Sequence, residues 1–187
     1  MDKEILEKFG PLRPLAGIWE GSPGNDDAPA PDRQKERNVY RERMVLEPLN
    51  PVSNHEQKLY VLRYSSQVFR IEEKDPFHEE VGYWLWDPKE KQLTRAIAIP
   101  RGMVALAGGH AEPDSKHFKL KAELGSSTFG ICSNPFLDDQ FQTVKYEVDM
   151  KINEDGTFTY DQNTYIKIKG QPKLFEHRDT NTLHKIG

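Results

Sequence analysis

Cysteine is almost missing from this chain: Cys132 stands alone among 187 residues. A single cysteine excludes an internal disulfide framework and a Cys-rich zinc site. It suits a reducing compartment. No apolar run approaches the roughly 20 residues of a membrane-spanning helix. Positive charge is not in excess, because 26 Lys and Arg face 30 Asp and Glu for a net charge of −4. A general nucleic-acid binder carries a basic face, so that class is set aside. The acidic start Met1-Asp2-Lys3-Glu4 leads into no long apolar region, so a signal peptide is not expected and the expected compartment is the cytoplasm. Gly-x-Ser-x-Gly elbows, phosphate loops and His-x-x-x-His pairs are all lacking. So is any alternation of strand and helix that would signal a parallel sheet.

What is present is strand after strand. Ile5, Leu6 and Phe9 fall at helical spacing and stop at Gly10-Pro11, which predicts one short helix plugging a barrel end. Leu15 to Gly21 reads as the first strand, with Trp19 on one face and Ile18 and Glu20 on the other. The polar, Pro-rich stretch from Ser22 to Arg37 reads as a long loop. Strands are then expected over 39–46, 59–69, 77–86, 93–99 and 103–107. Phe118, Leu120, Ala122 and Leu124 alternate with Lys119, Lys121 and Glu123, so one face is dry and one wet. Val144, Tyr146, Val148 and Met150 repeat that pattern. Asp155-Gly156 marks a hairpin into 158–168, and a last strand runs over 175–186. The intervening segment from Gly125 to Asp139 is unusually apolar for a connection. The expectation is one domain over 1–187. It is all-β, a small antiparallel up-and-down barrel of the lipocalin or fatty-acid-binding-protein type, because closure hides sheet edges and leaves room for one small ligand.

Candidate chemistry is sparse. Of six histidines, His110, His117 and His55 fall in or near turns. His78 opens an aromatic-rich strand beside Phe77. His177 and His184 are seven apart on the last strand, and an odd separation puts them on opposite faces. Cys132 has no basic neighbour in sequence to make it a thiolate. Glu79 and Glu80 point to opposite faces and make a poor acid–base pair.

Four short stretches, in order, resemble the nitrobindin-like haem-binding β-barrels, a family first described as fatty-acid-binding-protein-like. They are Leu15-Ala16-Gly17-Ile18-Trp19-Glu20-Gly21, Pro76-Phe77-His78-Glu79-Glu80-Val81-Gly82-Tyr83, Arg101-Gly102-Met103-Val104, and Gln171-Pro172 followed by His177 and Leu183. The resemblance spans about 12–186. It implies a barrel that binds haem b at its open end, with His177 as the axial iron ligand. His78 falls on the distal side, and Phe77, Ile99 and Met103 with it. Trp19, in the opening motif, and Gln34, nearest to the family's haem-contacting Thr, complete the implied haem-side set. The family also implies reaction of ferric haem with nitric oxide and isomerisation of peroxynitrite to nitrate. The chain departs from the family's opening glycines at Ser22-Pro23-Gly24 and carries an apolar insertion over 129–139.

Two other readings stand beside this one. A metal-free carrier of an apolar small molecule such as a fatty acid would want a buried cation for the carboxylate. Arg41, Arg43 and Arg63 lie on strands and could serve. A filled barrel acting as an interaction domain is the third. The sequence leaves the oligomeric state open.

Overall fold

The computed structural model describes residues 3–187; Met1 and Asp2, half of the acidic start, lie outside the described residues. Twelve strands follow a short N-terminal helix, α1 (Lys3–Leu6), and a 3₁₀ segment, Glu7–Leu15. They are β1 (Gly17–Pro29), β2 (Lys35–Pro48), β3 (Val52–Asn54), β4 (Gln57–Arg70), β5 (His78–Asp87) and β6 (Gln92–Ile99). Then come β7 (Met103–His110), β8 (His117–Leu124), β9 (Gly130–Ser133), helix α2 (Pro135–Gln140), β10 (Phe141–Ile152), β11 (Phe158–Ile168) and β12 (Phe175–Lys185). Eleven strands close a ring, β1-β2-β4-β5-β6-β7-β9-β8-β10-β11-β12 and back to β1. The short β3 hangs on β4 alone. All pairings are antiparallel except β8–β9. Among the described residues no helix is long and apolar enough to cross a membrane.

The expected loop over 22–37 is instead the rest of a long hairpin. β1 continues to Pro29 and pairs with β2 from Gly17↔Leu46 out to Pro29↔Lys35. Polarity misled the reading because this half of the hairpin has polar residues on both faces. A register shift between Gly21 and Gly24 lets the strand bend. Gly24 is required there, since a Cβ would meet the Tyr40 ring at 2.3 Å. The apolar segment after β8 folds as β9 and α2. Asn134 caps α2 by accepting from the Leu137 amide at 2.9 Å, and its side chain donates to Arg101 O at 2.6 Å. Leu137 packs inward on the core while Phe136 stays exposed.

One barrel end is stoppered. The 3₁₀ segment buries Phe9, Leu12 and Leu15 against Trp19, Tyr60, Trp86 and Leu93. Gly10, at φ +53°, turns the chain directly over Trp86, whose Nε1 would lie 2.6 Å from an added Cβ. Trp19 donates its indole N–H to Leu15 O at 2.8 Å and meets the Phe158 ring edge-on at 4.7 Å. The turns β1–β2, β4–β5, β6–β7 and β11–β12 form the opposite, open end.

Candidate functional site at the open end of the barrel

Strand alternation decides which side chains face the interior. On β12 the inward row is Phe175, His177, Asp179, Asn181 and Leu183, while Glu176, Arg178, Thr182 and His184 are exposed. His177 and His184 therefore do lie on opposite faces. His78 pairs with Val68, and both belong to the inward rows of their strands. Ile99 pairs with Met103 in the same way. β5 and β6 lie four and five strands round the ring from β12, so His78 and Ile99 stand across the mouth from His177. The structure thus sets His177, His78, Ile99 and Met103 on inward rows toward the same end of the barrel, with the buried Val68 and Ile97 on the wall opposite His177.

The other implied residues fall elsewhere. Trp19 is part of the stopper at the closed end, only 2% exposed, and cannot touch a group held at the mouth. Phe77 precedes β5 and lies beneath the Arg70 guanidinium, 4.7 Å from its ring centroid, on the rim. Gln34 is exposed in the β1–β2 turn, beside a crevice of about 500 Å³ shared with Arg33, Lys35, Gln171, Lys173 and Phe175. Arg33 ties this turn across the rim by donating to Lys169 O at 2.8 Å and Gln140 Oε1 at 2.9 Å. The three arginines offered for a carboxylate clamp all face outward. Arg41 stacks on Phe69 at 4.1 Å, Arg43 pairs with Glu20 at 3.8 Å, and Arg63 pairs with Glu47.

His177 is one-third exposed, and its Nε2 is 2.7 Å from Asp26 Oδ1. Asp26 is buried and also accepts from Asn38 Nδ2 at 3.2 Å. With a carboxylate oxygen against it, Nε2 is the ring nitrogen that donates in this contact.

Beneath His177 the barrel is filled with polar side chains. The buried Arg95 donates to Glu80 at 3.0 Å, to Gln162 at 2.9 Å and to the Tyr146 hydroxyl, and lies 5.0 Å from the rings of Tyr64 and Trp84. Its Nε is buried without a partner. Glu42 accepts from Ser66 at 2.6 Å, Tyr160 at 2.8 Å and Asn181 at 3.1 Å. Burial nevertheless pushes the Glu42 carboxyl above its usual range, against the pull of those three donors. Burial and the Glu42 charge push Asp179 upward as well. Tyr40 touches Asp179 and lies 2.8 Å from the Tyr160 hydroxyl. If Tyr40 donates to Asp179 and Tyr160 to Glu42, no hydrogen remains for the contact between the two hydroxyls. A proton on one of the two carboxyls would supply it, and burial pushes both groups in that direction.

This polar floor was not singled out in the sequence: Tyr40, Glu42, Arg95 and Asp179 belong to no motif, and Glu80 was weighed only as half of a poor acid–base pair. Their signal was positional: each sits in step with apolar inward neighbours, as Glu42 does with Met44 and Leu46. A second concavity, of about 860 Å³, lies outside the barrel wall over Val81, Tyr83, Ala96, Val104 and Leu106. It shares none of the mouth residues apart from the wall position Ile97.

A closed antiparallel barrel, stoppered at one end and open at the other with an inward imidazole, defines the class: a small-ligand barrel. The model of the THAP4-like, heme-binding beta-barrel domain matches residues 8–185, and the chain belongs to that family. Among solved structures, Rv2717c from M. tuberculosis has a similar fold, with a TM-score of 0.63, 20% identity, and 95% of this chain and 98% of that one covered. No curated protein matches the chain in sequence.

Proposed function

We propose that this barrel binds haem b at its open end through His177. The observation that supports it best is the placement of one inward imidazole on β12 facing an apolar wall of Val68, Ile97, Ile99 and Met103. The donor set fits haem: a nitrogen ligand, apolar surface for the macrocycle, and a polar floor that keeps the group at the mouth. Bound ferric haem would supply an iron centre able to react with nitric oxide or peroxynitrite. The chain's part in that chemistry falls to His78, whose ring faces the same interior and can hold a proton toward an anionic oxygen there. Isomerisation of peroxynitrite to nitrate is the reaction this arrangement suits. The carrier reading lacks its clamp, because Arg41, Arg43 and Arg63 face solvent and Arg95 is already committed to Glu80.

The test is hemin titration of the purified protein. A Soret band at micromolar hemin is expected, with His177→Ala weakening it strongly and His78→Ala leaving it in place. An unchanged spectrum in the wild-type protein overturns the reading.

A further inference from the structure

We propose that Asp26 is a latch on His177, holding the haem ligand in a closed arrangement until haem displaces the bond. This rests on the haem reading above and adds the residue that controls access to the ligand. Haem iron is approached most freely by Nε2, at the far tip of the imidazole. Nδ1 lies beside the ring carbon that bears Cβ, so a flat macrocycle there crowds the side chain's own stem. In this structure Nε2 is the nitrogen taken, at 2.7 Å from Asp26 Oδ1. The free nitrogen is therefore the unsuitable one.

The latch is firmly built. Asp26 sits on β1 in register with Asp179 on β12 and Asn38 on β2, so it is fixed between two long strands. Its carboxylate is largely enclosed, and Asn38 holds the second oxygen. A charge-assisted hydrogen bond in such surroundings is stronger than one in water. His177 must leave it before its Nε2 can meet iron. Asp26 is thus a positioning residue, acting on the ligand and not on the haem.

Two measurements test this. Nitrogen-15 NMR of the haem-free protein reads the tautomer directly: the latch requires His177 to be protonated on Nε2 and this preference to be lost in Asp26→Ala. Stopped-flow mixing with hemin reads the consequence. Wild type should show a slow phase whose rate does not rise with hemin concentration. Asp26→Ala should capture hemin faster by on the order of ten- to a hundredfold, the range set by losing one hydrogen bond to a charged group. Asp26→Asn, which keeps the shape and an acceptor oxygen, should fall between. If wild type gives a His177-dependent Soret band yet Asp26→Ala is no faster, the latch is wrong and the haem reading stands. If no variant gives that band, the haem reading fails and the latch with it.

Discussion

The two halves of the barrel interior are built on opposite principles. The closed half is held by aromatic and aliphatic burial: Phe9, Trp19, Trp86, Phe158 and Leu183 leave almost no polar atom unpaired. The half leading to the mouth encloses the carboxylates of Asp26, Glu42, Glu80 and Asp179, while Arg95, paired with Glu80, is the one buried cation among the described residues. Burial of apolar surface stabilises without regard to direction. A buried polar network stabilises only when every member is satisfied. The stopper therefore carries the stability of the fold, and the floor sets the shape and protonation of the site above it.

The largest effect should come from the closed half. Phe158 is fully buried with its ring edge against Trp19. Phe158→Ala should cost about 3–5 kcal/mol, the usual range for emptying an aromatic core position. Chemical denaturation should show the loss, while the fraction that remains folded keeps its hemin affinity. A large drop in affinity at equal folded fraction would show that the two halves are not separable.

A smaller effect, with a definite pH signature, is expected in the floor. Glu42→Gln removes a carboxyl whose folded-state pKa is raised by burial. With the folded pKa above the unfolded value of about 4.3, the folded state holds the extra proton between the two. Glu42 therefore contributes its full stability below about pH 4.3 and loses it as pH rises toward the folded pKa. Gln has no proton to hold, so Glu42→Gln should gain on the wild type steadily as pH rises from 4 to 7. Unfolding midpoints across that range measure the difference. A flat difference would place Glu42 in its ordinary range and leave the contact between the Tyr40 and Tyr160 hydroxyls without a carboxyl proton from Glu42.

The closed half was largely legible in the sequence. Phe118, Leu120, Val148 and Met150 alternate with polar neighbours, and period two translates directly into one buried face. The helix expected to end at Gly10-Pro11 as a plug is α-helical only over Lys3–Leu6 and continues as 3₁₀ to Leu15, where Pro11 and Pro14 lack the N–H groups of a regular α ladder. His177, His78 and Met103 lie in the stretches that carry the family resemblance and Ile99 just outside them; strand alternation sets all four on inward rows toward the open end. The floor was not legible because its inward residues are charged or phenolic, and composition alone assigns such residues to solvent. Arg95 shows the difficulty most clearly. Its one signal is that it stands in step with Leu93 and Ile97, whereas Arg63 stands in step with Val61 and Ser65; charge outweighs so slight a difference, yet one arginine is enclosed between Tyr64 and Trp84 and the other pairs with Glu47 in water.

The smallest effect is expected from that second arginine. Arg63 lies on β4 in register with Tyr83 and Glu47, in the row that faces away from the interior. Its side chain and that of Glu47 are both more than half exposed. Exposed ion pairs gain little, because water screens the attraction and two long side chains lose freedom in making it. Arg63→Ala should therefore change stability by no more than about 0.2–1 kcal/mol. It should leave the affinity for hemin, or for a fatty acid, unchanged, since no side chain on this face reaches the barrel interior. Denaturation midpoints and parallel titrations with hemin and a long-chain fatty acid read both quantities in one preparation. A loss of fatty-acid binding in Arg63→Ala would turn the argument round. It would move the lipophile from the mouth to the outer concavity over Val81, Tyr83 and Leu106, which Arg63 borders, and the barrel would then have an apolar site on its wall as well as an imidazole at its mouth.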